Sequence, residues 1–175
     1  MIILDNFLPD GPLKGQLSED FNWTKSHPYR WLDSDKKPTS IWESLAYEVW
    51  NGIFAQAEKV TAAGFEYWTN SLTADGRNDL DWHFDKDEHK FFGEEKILLT
   101  PYKGMVYYCH KEMPTGGFLE IDRGSGEIER IEPVPNRLII FDPSVLHRVT
   151  PITSGVRRTF ASNLWLEKPS AENFV

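Results

Sequence analysis

Cysteine is almost absent from this chain of 175 residues: Cys109 stands alone, so no disulfide can form within the chain and no multi-cysteine metal site is possible. No apolar run approaches the roughly 18 residues that a membrane-spanning helix requires. Basic residues are also outnumbered, with 19 Lys and Arg against 27 Asp and Glu and a formal net charge of −8. Because no run of Lys and Arg offsets that charge, nucleic acid is a poor partner. Any metal must be held by nitrogen and oxygen ligands.

The length and composition predict one compact domain over residues 1–175. Hydrophobic residues make up 40% of the chain and aromatic residues 14%, which is enough for a packed core. We expect a helical and loop-rich N-terminal part over about residues 1–64 and a β core over about residues 65–168. Residues 1–4 are apolar but are followed at once by Asp5, so no signal peptide is indicated and a cytoplasmic location is the expectation.

The N-terminal part combines a strand, a helix and a loop. Residues 1–7 are predicted to form a first strand, which leads through a turn into a short helix. Residues 22–40 are polar and aromatic without a clear period, and they are predicted to form a long connecting loop. A longer helix then begins with Thr39 or Ser40 as its cap, and every fourth residue from 41 to 53 is apolar.

The remainder of the chain alternates short β-rich segments with turn sequences. After a strand-like segment that starts at Phe65 and leads towards His83, further strands are predicted over residues 97–100, 105–110, 118–121, 127–131, 137–141, 146–152 and 156–166. Many short strands with regular turns, packed beside a few helices, are typical of a double-stranded β-helix, or jelly roll. The fold class is therefore mainly β with flanking helices (α+β).

The triplet of residues 83–85 and one distant histidine contain the candidate metal ligands. Positions i and i+2 of a strand face the same side, so the imidazole of His83 and the carboxylate of Asp85 can reach one point in space. His147 follows 62 positions after Asp85, on another strand, and can complete a three-ligand face. Two histidines and one carboxylate that leave other coordination positions free suit non-haem Fe(II) and oxygen chemistry. The sequence therefore suggests an oxygenase.

Arg157 lies ten positions after His147 and adds an anion-binding group. The turn over residues 153–155 would fold the next strand back, so that His147 and Arg157 lie on paired strands. A guanidinium there can bind the far carboxylate of an acidic co-substrate through two parallel hydrogen bonds. Tyr108, on a separate strand, can add a hydroxyl donor to the same carboxylate.

Three alternatives stay open at this point. Arg157 and Arg158 are adjacent, so their side chains point to opposite faces of a strand and only one of them can enter the site. Tyr107 and Tyr108 present the same choice. His89 lies in a charged segment and is a substitute ligand, although a solvated loop position is the simpler interpretation.

These residues, taken in order, resemble the Fe(II)- and 2-oxoglutarate-dependent oxygenases, in particular their prolyl 4-hydroxylase-like branch. The resemblance covers about 110 residues from Phe65 onward. It is carried by four motifs, which are His83-Phe84-Asp85, Met105-Val106-Tyr107-Tyr108, Gly116-Gly117-Phe118-Leu119-Glu120 and the segment from His147 to Arg157. A Gly-x-Arg spacing within the last motif favours Arg157 over Arg158.

The resemblance implies a site and a reaction. His83, Asp85 and His147 would bind Fe(II), while Arg157 and Tyr108 would hold 2-oxoglutarate. The expected activity is hydroxylation of a C–H bond with O2, with release of succinate and CO2 and with ascorbate as a supporting reductant. A prolyl residue in a protein or peptide is the favoured substrate, with a small molecule as the alternative, and residues 22–40 and 86–96 are the candidate substrate-covering loops.

Two other functions compete with this interpretation. One is a non-catalytic jelly-roll binding module that holds a metal, and the other is a cupin-like metalloenzyme that does not use 2-oxoglutarate. An intact ligand set together with an anion-binding arginine argues against the binding module, whereas the effect of Arg157→Ala on activity would distinguish the cupin-like enzyme.

Overall fold

Two antiparallel β-sheets face each other in the computed structural model, which describes residues 1–23, 29–54, 58–94 and 96–170. The major sheet has the strand order β1 (Ile2–Leu4), β9 (Leu138–Phe141), β5 (Lys103–Tyr108), β12 (Val156–Trp165), β3 (Gly64–Thr73) and β2 (Arg30–Asp33). The minor sheet has the order β4 (Leu80–His83), β10 (His147–Val149), β7 (Leu119–Asp122) and β8 (Ile128–Ile131). A two-stranded ribbon pairs β11 (Ile152–Ser154) with β6 (Thr115–Gly116).

The helices belong mostly to the N-terminal part of the chain. They comprise α1 (Pro12–Leu17), a 3₁₀ turn (Asp20–Trp23), α2 (Ile41–Tyr47) with a π-helical continuation (Glu48–Phe54), and α3 (Glu88–Phe92). This arrangement confirms the predicted mainly β jelly roll with flanking helices. The division into two parts near residue 64 stays a prediction.

The major sheet separates two hydrophobic cores because successive side chains of a strand point to opposite faces. On one face, Tyr107 and Leu138 join a core that is completed by the helices. On the other face, Tyr108 and Ile139 pack against Ile121 and other residues of the minor sheet. The second core lies between the two sheets, in the layer where the candidate site is found.

Helix α2 begins where the sequence predicts, but its second half is wound differently. The Ser40 hydroxyl accepts a hydrogen bond from the backbone N–H of Glu43 at 3.1 Å, so Ser40 is the N-cap. The four-residue repeat is followed as far as Val49, which is fully buried. Ile53 is instead 41% exposed and Phe54 is buried, because the wider π turn advances the buried position by one residue.

Replacement of Ser40 by alanine is expected to lower the free energy of unfolding by about 1 kcal/mol, because an N–H at the start of α2 loses its acceptor. Chemical denaturation of both proteins measures the difference. A Ser40→Asp variant provides the control, since aspartate also caps helices and should retain most of the stability. Equal stability of the alanine variant and the parent would contradict the capping role.

Three predictions about secondary structure were wrong. Residues 97–100 form no strand, because Ile97 and Leu99 bond through their backbones to Lys90 and Asp87 rather than to a sheet. The predicted loop over residues 22–40 contains strand β2, which pairs with β3; residues 24–28 of that loop lie outside the described residues. The predicted strand over residues 146–152 is two strands, β10 and β11, with Pro151 between them, which has no N–H to donate to a sheet.

Among the described residues, no helix combines the length and apolarity that a membrane crossing requires.

Candidate metal centre

Three potential ligand groups meet between the two sheets. Nε2 of His83 lies 3.8 Å from Oδ1 of Asp85, and Nε2 of His147 lies 3.9 Å from the same oxygen. The two histidines are register partners on β4 and β10, and their ring centroids are 4.3 Å apart. Asp85 is not on β4 as predicted but just beyond its end, where its backbone N–H donates to the carbonyl of Pro143 at 2.9 Å. The spacing leaves room for one ion among three atoms that together form a two-histidine, one-carboxylate set.

Both imidazoles are held in the orientation that a metal ligand needs. Nδ1 of His83 lies 2.7 Å from the carbonyl oxygen of Asp81, and Nδ1 of His147 lies 2.8 Å from that of Val145. A carbonyl accepts only from a protonated nitrogen, so the proton of each neutral ring sits on Nδ1 and the lone pair sits on Nε2. Burial lowers the pKa of His147, while Asp85 raises it and His83 lowers it further. The neutral, ligating form of the ring is therefore favoured.

The carboxylate of Asp85 is oriented by Asn163 on β12. The side-chain amide nitrogen of Asn163 donates to Oδ2 of Asp85 at 3.0 Å, which turns Oδ1 towards the two imidazoles. Asn163 is only 2% exposed, so it is a fixed part of the site. Outer hydrogen bonds of this kind orient metal ligands and strengthen binding.

Replacement of Asn163 by leucine is expected to weaken Fe(II) binding roughly 10- to 100-fold, because Asp85 loses the donor that orients it. Anaerobic isothermal titration measures the effect. As a control, Ser162→Ala removes a buried hydrogen bond from Trp50 (3.0 Å) on the opposite face of β12, and should reduce stability without weakening metal binding. An unchanged metal affinity in the leucine variant would exclude an orienting role for Asn163.

Arg157 lies in the same cavity as this cluster and lacks an anionic partner. Its side chain is 2% exposed, and its guanidinium donates to the carbonyl of Gly117 at 3.0 Å and to the hydroxyl of Thr159 at 3.3 Å. No carboxylate of the described residues lies within ion-pairing distance of it. A buried charge without a counter-ion is costly. The guanidinium is therefore suited to an anion that enters the cavity.

Tyr108 and Gly117 complete the surroundings of Arg157. The guanidinium carbon lies 5.1 Å from the centre of the Tyr108 ring, and the Tyr108 hydroxyl is buried with no hydrogen-bond partner among the described residues. Gly117 has a φ of +69°, and a Cβ there would lie 3.0 Å from Cδ of Arg157. Glycine therefore allows both the turn and the close approach of the arginine. A guanidinium without a counter-ion beside a hydroxyl without a hydrogen-bond partner fits the carboxylate of a bound acid.

In each of the two adjacent pairs, the side chains lie on opposite faces of the major sheet. Arg158 points to the other face of the major sheet, where it pairs with Asp20. Tyr107 also points there and donates to Oδ1 of Asn136 at 2.8 Å. Arg157 thus lines the cavity of the cluster, and Tyr108 lies on the same face of the major sheet, in the core between the two sheets. Their role as ligands of 2-oxoglutarate stays a prediction.

The expected pairing of the strands that carry His147 and Arg157 was wrong. The first strand, β10, pairs with β4 and β7, whereas β12, the strand of Arg157, pairs with β3 and β5. Gly155, with a φ of +79°, instead forms the turn that connects β11 of the two-stranded ribbon to β12 of the major sheet. The two residues line one cavity from opposite sheets.

His89, considered from the sequence as a substitute ligand, and two tryptophans close to the site in sequence are not part of the cluster. His89 is exposed on α3 and does not belong to the group of three. Trp82 packs under the guanidinium of Arg148 at 4.7 Å, and Trp165 is buried and donates to Glu66. Sequence reasoning missed Asn163 and Gly117. Asn163 could have been predicted from the sequence. It lies an even number of positions after Arg157 on one strand, and its side chain therefore faces the same side of the sheet.

The comparisons with known proteins agree with this geometry. A family model described as the 2OG-Fe(II) oxygenase superfamily matches residues 68–167. A PKHD-type hydroxylase of Klebsiella pneumoniae is 35% identical over 75 residues, which cover 43% of this chain and 32% of that protein. The matched stretch thus spans about a third of the length of the curated relatives.

Solved structures show the same fold at low sequence identity. A prolyl-4-hydroxylase of Pseudomonas putida superposes with a TM-score of 0.67 and 16% identity, over 95% of this chain and 92% of the other. The viral collagen prolyl hydroxylase of Paramecium bursaria Chlorella virus-1, in complex with 2OG, gives a TM-score of 0.60 and 16% identity, over 95% and 96% of the two chains.

Proposed function

The chain belongs to the 2OG-Fe(II) oxygenase superfamily, and from this premise we propose that it is an Fe(II)- and 2-oxoglutarate-dependent dioxygenase. In the proposed reaction it hydroxylates a C–H bond and releases succinate and CO2. His83, Asp85 and His147 are the proposed metal ligands. Arg157 and Tyr108 are the proposed ligands of the distal carboxylate of 2-oxoglutarate.

The observation that carries the proposal is the buried, uncompensated Arg157 in the cavity of the two histidines and the aspartate. A metal-holding binding module needs no such cation beside its metal. A cupin-like enzyme that does not use 2-oxoglutarate needs none either. A dicarboxylate that reaches the metal with one end and Arg157 with the other supplies the missing anion.

Each residue of the site has a distinct task. Fe(II) and 2-oxoglutarate, when bound, would supply the activation of O2 and the oxidising power for hydroxylation. The protein binds the ion through Nε2 of His83 and His147 and Oδ1 of Asp85, and the carbonyls of Asp81 and Val145 hold the protons of the rings on Nδ1. Three protein ligands would leave further coordination positions free for the co-substrate and for O2.

A prolyl residue in a protein or peptide is the proposed substrate on the ground of the likeness to prolyl hydroxylases, with a small molecule as the alternative. Because one fold serves many substrates, the reaction class is better supported than the substrate. Residues 86–96 remain a candidate substrate-covering segment, since Lys86 and Glu88 line a cavity that opens beside His83 and Asp85.

Purified protein with Fe(II), ascorbate and 2-oxoglutarate should form succinate when the correct substrate is added. A screen over peptides, free amino acids and small metabolites, read out as succinate, tests this. Failure to form succinate with any compound, together with failure to bind 2-oxoglutarate, would contradict the proposed function.

A further inference from the structure

Glu66 is a buried carboxyl group that has no cationic partner. It lies on β3, is 8% exposed, and accepts hydrogen bonds from Asn163 and Trp165, both at 3.2 Å and both to Oε2. Its other oxygen, Oε1, has no donor among the described residues, and no Lys or Arg among them lies within ion-pairing distance. Such a group costs free energy unless a cation or a proton joins it.

Elsewhere the chain treats a buried carboxylate differently. Glu120 is 1% exposed, and its two oxygens are bound by Arg130 and Arg148. Burial raises the pKa of Glu66 to about 7, with Asp85 adding to the rise and the donors Asn163 and Trp165 opposing it. Hydrogen bonds from neutral donors therefore do not replace the missing cation at Glu66.

Glu66 lines a cavity that opens beside the metal ligands. This mouth cavity is lined by Tyr29, Glu66, Phe84, Lys86 and Glu88, and it shares Trp68, His83, Asp85 and Asn163 with the inner cavity of Arg157. One amide nitrogen, that of Asn163, bridges the carboxylates of Glu66 and Asp85, so a group bound at Glu66 would lie close to the metal centre.

The rest of the mouth cavity is compatible with a cation. The rings of Tyr29 and Trp68 lie 4.9 Å apart, and aromatic faces attract positive charge. Lys86 is already engaged: its ammonium group lies 2.8 Å from Glu88 and 4.8 Å from the centre of the Phe84 ring. Lys86 is thus paired with Glu88 and forms no ion pair with Glu66.

The two cavities carry opposite unmet charges. Arg157 in the inner cavity lacks an anion, and Glu66 in the mouth cavity lacks a cation. We infer, on the basis of the proposed function, that the substrate carries an ammonium or guanidinium group, which binds Glu66 and the neighbouring aromatic rings and so places a nearby C–H bond at the metal centre. Glu66 then acts as a specificity-determining residue, while 2-oxoglutarate occupies the Arg157 side.

Four small probes of similar size test the charge preference. They are n-butylammonium, n-butylguanidinium, 1-butanol and butyrate, each titrated calorimetrically into protein loaded anaerobically with Fe(II) and 2-oxoglutarate. The two cations should bind roughly tenfold or more tightly than the alcohol and the acid, as expected for a charge-assisted hydrogen bond in a partly buried site. Equal binding of butanol and butylammonium, or a preference for butyrate, would overturn the inference.

Two matched variants connect the preference to Glu66. The Glu66→Gln variant should lose the difference between butylammonium and butanol while it binds 2-oxoglutarate with a Kd within about twofold of the parent. The Glu112→Gln variant makes the same change of net charge at an exposed position outside both cavities and should keep the preference. An unchanged preference in Glu66→Gln would refute the assignment.

The failure of this inference is distinguishable from failure of the proposed function. If the parent protein binds 2-oxoglutarate but shows no preference for cations, only the substrate class is wrong. If it does not bind 2-oxoglutarate, the proposed function fails, and the probes are titrated into the protein alone. Cation binding by Glu66 and the aromatic rings does not require the metal. The protein alone should therefore still prefer butylammonium to butanol, and the Glu66→Gln variant should lose that preference.

Discussion

Replacement of His147 by alanine is expected to abolish Fe(II) binding at the cluster and, with it, 2-oxoglutarate turnover. The imidazole is one of the three proposed protein ligands, and the Nδ1 contact with the carbonyl of Val145 orients its Nε2 towards the other two. The loss should exceed the roughly 100-fold that removal of an outer hydrogen bond causes, because a ligand itself is removed. Anaerobic calorimetry measures metal affinity, and succinate formation measures turnover.

His89→Ala is the matched control for this prediction. His89 was the substitute ligand considered from the sequence, and it is exposed on α3 outside the cluster. Its variant should bind Fe(II) as the parent does. Retained metal affinity in His147→Ala, or a loss of affinity in His89→Ala, would contradict the proposed ligand set, provided that circular dichroism shows both variants folded.

Replacement of Arg157 by alanine is expected to raise the Kd for 2-oxoglutarate strongly while leaving Fe(II) affinity close to that of the parent. Removal of one partner from a buried charge pair costs about 2–5 kcal/mol, which corresponds to a roughly 30- to several-thousand-fold change in Kd. Arg157 also contacts Gly117 and Thr159, so the thermal stability of the variant is measured alongside binding.

Arg158→Ala provides a control one position away on the same strand. Its guanidinium lies on the opposite face of the major sheet and pairs with the exposed Asp20. This variant should bind 2-oxoglutarate with a Kd within about twofold of the parent, since exposed ion pairs contribute little. A larger effect from Arg158 than from Arg157 would reverse the assignment and favour a site on the helical side of the sheet.

The fold class and the core of the site follow from local patterns in the sequence. Many short β-rich segments separated by turn sequences predict the jelly roll, and the His83-Phe84-Asp85 triplet with His147 predicts a cluster that the structure brings together. One detail of this prediction was wrong. Asp85 lies beyond the end of β4 and is positioned by its backbone hydrogen bond to Pro143 rather than by strand alternation. Its Oδ1 still lies 3.8 Å and 3.9 Å from Nε2 of the two histidines.

The errors arise where tertiary contacts decide local structure. Strand β2 has no alternation of its own and exists because β3 offers it an edge, whereas residues 97–100 are apolar but bond to the segment around α3. The pairing of distant strands also cannot be predicted from the local sequence pattern. His147 and Arg157 were expected on paired strands, but they lie on strands of the two different sheets.

Residues that act through other residues were also missed. Asn163 and Glu66 carry no motif, and their importance follows from one amide nitrogen that joins two carboxylates across strands. The unmet charges of Arg157 and Glu66 depend on which groups are not nearby, and only a three-dimensional structure provides that information. A charge that lacks a partner in the folded chain is a useful indicator of what the chain binds.

The most direct test of the account is the anaerobic visible absorption spectrum of the Fe(II)-loaded protein during titration with 2-oxoglutarate. We predict a metal-to-ligand charge-transfer band that grows to saturation at one equivalent in the parent protein, is absent in His147→Ala and requires much more 2-oxoglutarate in Arg157→Ala. A parent protein that binds Fe(II) but develops no band at any concentration of 2-oxoglutarate would contradict the account.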